Sequence, residues 1–418
     1  MRLSQNFKEI NHNVKLTFLF SIIHNFGGSI WGGSVLSAYI FFFSSSNIIL
    51  GWTSGVMGIA MTLSVLPSGY FADKFRRDII LKIASAIGAI SLLILIFGKD
   101  LIAIFIGLGF WGIYQGFTGP SLEAILADST ISGNRSIIYS RLHLIRQLSA
   151  SIGPFISVLL FLLLGDTWEL SILKTVMLIG MLISLISIGI MFFFNDKRTL
   201  GDKSESISDE NTNGTLKNNS DYKKRNWIIF GTLIASMLTI GIGAGMTLKY
   251  FSIFFIETYA LKPISVELIM GTTTIVTGIA GIIAQRLSRS KGRIRMIFWL
   301  EVIGTVCLFI IALYPTLWLL IPIFLIRGSF MNAGEPLNRS ILMDIVPKKH
   351  RAKVNSIQTI AWGLFWNFSA VIGGYLIGDI RPYNFRLNFI VTACIYIIGV
   401  IPLILLFPLV KEEDKKKK

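Results

Sequence analysis

Residues 175–194 read TVMLIGMLISLISIGIMFFF, twenty positions without a charge. A run of this kind constrains the fold more than any other feature of the chain. About 20 apolar residues in a helix cross the hydrocarbon core of a bilayer, at roughly 1.5 Å of rise per residue. Inside lipid, each backbone N–H and C=O has to be satisfied within the chain, and a single apolar segment does that as a helix. Comparable runs recur along the sequence, approximately at 15–42, 47–70, 79–98, 101–127, 137–163 and 170–194, then at 227–256, 265–286, 294–314, 316–343, 355–378 and 388–410. The expected fold class is therefore all-α and transmembrane, with twelve spanning helices. Charged residues make up only 15% of the 418, against roughly 25% in soluble domains.

One polar stretch stands apart. Residues 195–226, NDKRTLGDKSESISDENTNGTLKNNSDYKKRN, have almost nothing to bury and read as a linker. It divides the chain into an N-terminal six-helix bundle, 1–194, and a C-terminal one, 227–418. Lys and Arg set the orientation, because cytoplasmic loops retain them. With the N-terminus placed inside, 30 of the 39 fall on the inner side and five on the outer, with four inside spans. Both termini are expected in the cytoplasm of a multi-pass protein of the cell (plasma) membrane. The net charge of +16 thus reports topology, and no nucleic-acid partner is read from it. Cys307 and Cys394 both sit in apolar runs and offer neither a disulfide framework nor metal-ligand spacing. Nothing in the chain resembles a nucleophile–base–acid set or a phosphate loop, so no enzyme, cofactor or metal is expected.

The halves echo each other. PSLEAILAD ends the fourth run at Asp128, with Arg135 seven residues on; PLNRSILMD ends the tenth at Asp344, with Arg351 seven residues on, an offset of 216. GIIAQRLSRSKGR at 281–293 repeats the Gly-x-x-Ala and a basic residue of GYFADKF at an offset of 212. Two matches in the same order at nearly equal offsets imply duplication.

Between the second and third runs lies GYFADKFRRD, residues 69–78, with five charges in ten positions. It resembles the signature loop of the major facilitator superfamily, Gly-x-Leu-Ala-Asp-Arg-x-Gly-Arg-Arg. Gly69, Ala72, Asp73 and Arg77 match, and Phe71 and Lys74 are conservative replacements. Arg76 stands where the second glycine usually sits, and Asp78 where a basic residue usually sits. The resemblance implies two six-helix bundles related by a pseudo-twofold axis. It further implies a cytoplasmic latch of Gly69, Asp73, Arg77 and Asp128, in which Asp73 faces the N-terminus of helix eleven and Arg77 pairs with Asp128. The plainer reading of the same residues is a tight loop anchored among headgroups.

Charge within a span is costly and usually faces a cavity or a partner. Arg146 and Arg327 lie near mid-span, Lys249 in the outer third of its helix, and Glu123, Glu335 and Arg339 in the cytoplasmic third of theirs. In the family, helices one, four, seven and ten line the central cavity. That places His24, Asn25, Gln115, Glu123, Lys249, Arg327, Asn332, Glu335 and Arg339 on the lining helices. Glu123 and Arg339 occupy equivalent repeat positions with opposite charge and could gate the inner end; a local Glu335–Arg339 pair is the alternative. Arg146 and Arg327 read either as an anion site or as structural ion pairs. His24 reads either as a proton carrier or as a packing residue, and Lys249 could snorkel outward. Trp31, Trp111 and Phe117 read as cavity lining or as core. SIGP at 151–154 resembles the Gly-Pro signature of drug/proton antiporters, but IRQLSASIGP lacks the regularly spaced glycines of the fuller motif.

The function implied is secondary active transport of a small organic solute by alternating access, coupled to protons, by a chain acting as a monomer. The alternative is a facilitator of an anionic metabolite, a carboxylate or phosphate, held by the midplane arginines. A membrane sensor that kept the fold without transporting is the remaining class.

Overall fold

The computed structural model describes residues 11–131, 135–200, 220–345 and 348–410. Side chains at 66, 72–74, 135–137, 220–224, 343–345 and 348–362 lie outside that description. The described residues form fifteen α-helices and no strand. In chain order these are α1 (His12–Trp31), α2 (Ser34–Ser44), α3 (Asn47–Lys74), α4 (Arg77–Phe97), α5 (Leu101–Asp128), α6 (Arg135–Leu164), α7 (Leu170–Ile190) and α8 (Ser220–Leu248). There follow α9 (Phe251–Tyr259), α10 (Pro263–Lys291), α11 (Arg293–Ala312), α12 (Leu317–Ala333), α13 (Glu335–Ile345), α14 (Lys348–Ile377) and α15 (Phe385–Val400).

Eleven helical stretches are long and apolar enough to cross a membrane, and α14 carries a shorter apolar stretch, Gly363–Ile377. Three stretches read as continuous from sequence are interrupted. The chain turns at Gly32–Gly33 between α1 and α2, at Lys249–Tyr250 between α8 and α9, and at Gly334 between α12 and α13. The first break follows from glycine's low helix propensity, and the third precedes Pro336, whose ring suits a helix start. The second carries neither residue. There the Tyr250 hydroxyl, fully buried, donates to the Ala370 carbonyl at 2.6 Å, and this tertiary contact holds the turn.

Helix starts follow local chemistry where it exists. Asp100 accepts from the Ala103 amide at 2.7 Å to cap α5, Asn384 accepts from the Leu387 amide at 3.0 Å to cap α15, and Pro263 opens α10.

The chain divides into two compact units: residues 1–36, 56–160 and 171–217, and residues 37–55, 161–170 and 218–418. In the first unit, α3 and α5 approach closely enough that a Cβ at Gly116 would lie 2.7 Å from the Met61 carbonyl oxygen. In the same unit α1 and α7 meet at Gly27 and Gly180, where a Cβ on Gly27 would sit 2.8 Å from Ser184 Oγ. Gly153 of the SIGP stretch lies against Ser29 of α1, which gives that glycine a packing role. The second unit has an apolar core built from Leu233, Ile297, Leu300, Leu337, Ile341 and Leu406, with a cluster of Phe251, Phe254, Phe324 and Phe389 elsewhere in it. Large apolar side chains also point outward, Trp318 at 90% exposure and Leu163 at 82%. In water such a surface would aggregate; against lipid tails it is the expected exterior.

Candidate functional site

At one end of the first unit, the 69–78 stretch is mostly helical rather than a loop. α3 continues through it to Lys74 and α4 begins at Arg77, leaving only Phe75 and Arg76 between them. The Arg77 guanidinium forms an ion pair with the Asp128 carboxylate at the end of α5. Asp73's side chain lies outside the described residues, and Gly69 has open space where a Cβ would be. The two departures from the family pattern meet. Arg76 grips Asp78 through Nη2 at 2.7 Å and Nε at 3.1 Å, and Asp78 is buried in the first turn of α4, where the helix dipole favours a carboxylate. Lys82 Nζ adds a third contact to Asp78 at 3.7 Å.

The first residues of the polar stretch belong to this end too. Asp196 accepts from the Arg77 amide at 3.2 Å, and the Leu200 amide donates to the Asp128 carbonyl at 2.9 Å. Asn13 of α1, fully buried, donates to Ser129 Oγ at 3.1 Å and to the Asn195 carbonyl at 2.9 Å. Neither Asn13 nor Asp196 carries a local signal, because their partners are over a hundred positions away in sequence. The Arg77–Asp128 pair is half-buried, and such pairs contribute about 0.2–1 kcal/mol. Arg77→Ala should therefore move the melting temperature by only a degree or two, as scanning fluorimetry of the purified protein would show. A drop beyond about 5 °C would make the pair a folding element instead.

Deeper in the first unit, His24 of α1 lies between aromatic rings. Its centroid is 4.9 Å from that of Phe20, nearly parallel, and 5.9 Å from those of Trp111 and Tyr114. Its Nδ1 is 3.3 Å from Ser187 Oγ and 3.5 Å from the Tyr114 hydroxyl. Trp31 packs edge-on to Trp111 and donates to Ser184 Oγ at 3.1 Å; both tryptophans are buried, so they belong to the core of this unit. Arg146 of α6 reaches the same neighbourhood, Nε donating to Ser21 Oγ at 3.4 Å, and Asn25 donates to the Ser21 carbonyl at 2.7 Å. Asn25 and Arg146 thus meet at Ser21, three residues before His24 on α1. Gln115 is half-buried on α5, while Glu123 is exposed further along it.

In the second unit Arg327 of α12 is only 2% exposed. Its Nη2 donates to the Tyr396 hydroxyl at 2.8 Å and to Thr247 Oγ1 at 3.4 Å, and its guanidinium carbon stands 4.7 Å over the Phe251 ring. No carboxylate among the described residues pairs with it, and its Nε has no hydrogen-bond partner. Asn388, Thr392 and Tyr396 form a fully buried polar stripe at four-residue spacing on α15, and Asn388 Oδ1 and Thr392 Oγ1 also lack partners. That stripe was not read from sequence, although its four-residue period is visible there. Lys249, half-buried, stands in the break between α8 and α9. Asn332, Glu335 and Arg339 are exposed; Asn332 donates to the Gly328 carbonyl at 2.7 Å, and Glu335 and Arg339 form no ion pair with each other. Glu301 of α11 is 5% exposed, with Oε2 unpartnered.

A sequence profile described as Major Facilitator Superfamily matches residues 17–331 and 236–418. The chain belongs to the major facilitator superfamily, and it is a membrane transporter, not an enzyme. Solved structures share its fold at low identity. A bacterial homologue of the iron transporter ferroportin, inward-facing, superposes with a TM-score of 0.70 at 15% identity, over 94% of this chain and 98% of its own. A bacterial homologue of the human lysosomal transporter Spinster gives 0.72 at 12%, over 98% of each chain. The nucleoside transporter NupG, as a mutant, gives 0.69 at 13%, over 94% of this chain and 99% of its own. No curated protein matches the sequence.

Proposed function

We propose that this transporter moves a small organic anion across the cell membrane by alternating access, as a monomer with both termini in the cytoplasm. The observation that carries the reading is Arg327: a guanidinium held inside a spanning helix by neutral groups alone, with one donor unsatisfied. An ionisable side chain within a span that has no carboxylate partner is a candidate for contact with a charged solute. Arg146 in the first unit and Lys249 at a helix break add positive charge within the spans.

Proton coupling to an organic solute is the second reading, favoured by Glu301, a carboxylate buried in α11 with one oxygen unpartnered. The Arg77–Asp128 pair is read as one half of a cytoplasmic latch that closes the inner end in one state of the cycle. An iron transporter's homologue, a nucleoside transporter and a lysosomal transporter's homologue share this fold, which is compatible with one fold serving unlike cargoes.

Ligand-induced thermal stabilisation of the purified protein tests the choice, using a panel of monocarboxylates, dicarboxylates, phosphate esters and hydrophobic cations at two pH values. Stabilisation by an anionic class, little changed between the two, is expected. Stabilisation by cations or neutral amphiphiles alone, strongly dependent on pH, would overturn the anion reading in favour of the proton-linked one.

A further inference from the structure

Two short stretches share a pattern that the repeats noted above do not include. LLGD at 163–166 and LIGD at 376–379 are offset by 213 residues. Each closes a helix, α6 and α14 respectively. Both glycines take a positive φ, 124° at Gly165 and 74° at Gly378, a region glycine enters without steric cost. Each also donates its amide to the carbonyl four residues earlier, Gly165 to Phe161 at 2.9 Å and Gly378 to Gly374 at 2.9 Å. The same backbone device therefore sets each following aspartate at the same place beyond a helix end.

Both aspartates do the same thing there, and both lie in the second unit. Asp379 Oδ1 accepts from the Asn47 amide at 2.7 Å and the Ile48 amide at 3.2 Å, and its Oδ2 accepts from Ser46 Oγ at 2.7 Å. It caps the start of α3. Asp166 Oδ1 accepts from the Ile264 amide at 3.0 Å, the first free amide of α10 after Pro263. It caps the start of α10, whose own preceding residue, Lys262, supplies no side-chain cap. The capped positions are themselves related, since Asn47 and Ile264 are offset by 217. In each case a carboxylate from one half of the sequence satisfies the orphan amides and positive end of a helix from the other half.

Further contacts reinforce each side. Asn47 Nδ2 donates to the Gly378 carbonyl at 2.9 Å, and Trp168 Nε1 donates to the Leu261 carbonyl at 2.8 Å. α3 and α14 then pack without room to spare, a Cβ at Gly51 lying 2.6 Å from the Ala370 carbonyl oxygen.

We infer that Asp166 and Asp379 are positioning residues for transport: a duplicated pair of carboxylate-to-helix clasps that holds the outer ends of the helices together in one state of the cycle and releases them in the other. The inference rests on the alternating-access reading. All four segments end in loops on the side poor in Lys and Arg, the side assigned to the exterior. The structural likeness between the two clasps is what a closing device shared by two duplicated halves requires.

The test is solvent access to a buried position behind a clasp. Leu50 of α3 is 1% exposed, three residues beyond Asn47. In full-length protein with Cys307 and Cys394 replaced by alanine, a Leu50→Cys variant is reconstituted and treated with a membrane-impermeant maleimide from outside. The Asp166→Ala, Asp379→Ala double variant is expected to label at least tenfold faster than the parent, with each single variant between them. Labelling of the double variant at the parent rate, with unchanged melting temperature and elution, overturns the inference. Should the double variant fail to fold, Asp379→Asn serves. It keeps an oxygen for the amides but loses the charge, so labelling faster than the parent is expected and the parent rate overturns the inference. The assay needs no substrate. Unchanged labelling in a chain that binds solute removes the clasps alone; absence of any bound solute with faster labelling removes the transport reading alone.

Discussion

Arg327→Met combined with Tyr396→Phe is expected to fold as stably as the parent and to lose anion transport about a hundredfold or more. The stability side follows from opposed terms of similar size. Placing a charge at the centre of a span costs about 2.5–3.5 kcal/mol on insertion scales. Against this, a desolvated cation over a ring, as with Phe251 at 4.7 Å, returns about 2 kcal/mol. The hydrogen bond to the Tyr396 hydroxyl at 2.8 Å, made by a charged donor, returns about 1.5–3 kcal/mol. Methionine fills much of the arginine's volume without its charge. Alone it would strand the buried Tyr396 hydroxyl, at a cost of about 1–3 kcal/mol, and removing both partners avoids that penalty.

The functional side has no such compensation. If the guanidinium attracts the solute, its loss removes about 2.7 kcal/mol or more of interaction, a hundredfold in affinity or rate. Proteoliposome uptake of the solute found by thermal stabilisation, measured beside the melting temperature, reads both halves. A double variant that still takes up the anion at the parent rate would make Arg327 a packing residue and remove the main support for an anionic cargo.

Gly112→Val should severely destabilise the first unit. A Cβ at Gly112 would collide with the Met57 carbonyl oxygen of α3, and one at Gly116, a turn along, would lie 2.7 Å from the Met61 carbonyl oxygen. Both obstacles are backbone, so no side chain can swing aside, and α3 and α5 would have to move apart along their contact. Overpacking a tight site costs about 1–3 kcal/mol and more where nothing yields; here the expected cost is at or above the upper end. Size-exclusion chromatography in detergent should show loss of the monodisperse peak, or a melting temperature at least 10 °C lower. A variant that elutes and melts as the parent would mean that the two helices do not need this approach. Gly189 of α7, with open space where its Cβ would go and no proline after it, provides the control, and Gly189→Val should leave both readouts nearly unchanged.

The spanning helices were legible because lipid leaves so few alternatives: a long uncharged run has to satisfy its own backbone, and only a helix does so. The Arg77–Asp128 contact was legible as well, since the family resemblance implied both the arginine and an acid at the end of helix four, where Asp128 stands. Continuity was harder. The Gly32–Gly33 break could have been read from its glycines and the Gly334 break from Pro336, but nothing around Lys249–Tyr250 marks a turn. That turn depends on Ala370, 120 residues away. The same reason hides Asn13, Asp166, Asp196 and Asp379. A short polar side chain that caps a distant helix looks, in sequence, like any other loop residue. The helical extent of the 69–78 stretch was missed because the apolar run ends where its charges begin; in the structure α3 continues through them to Lys74.

The exchange at Arg76 and Asp78 also has a bearing on chimeras. Relative to the family pattern the chain differs at two neighbouring positions, and the two residues hold each other. Reverting Asp78 alone to a basic residue would set like charges side by side at the start of α4, where the helix dipole disfavours a cation. Reverting Arg76 alone to glycine would leave a buried carboxylate with only Lys82 at 3.7 Å. The two positions are thus coupled in this chain, and chimeras that splice this segment from relatives should carry both residues across together.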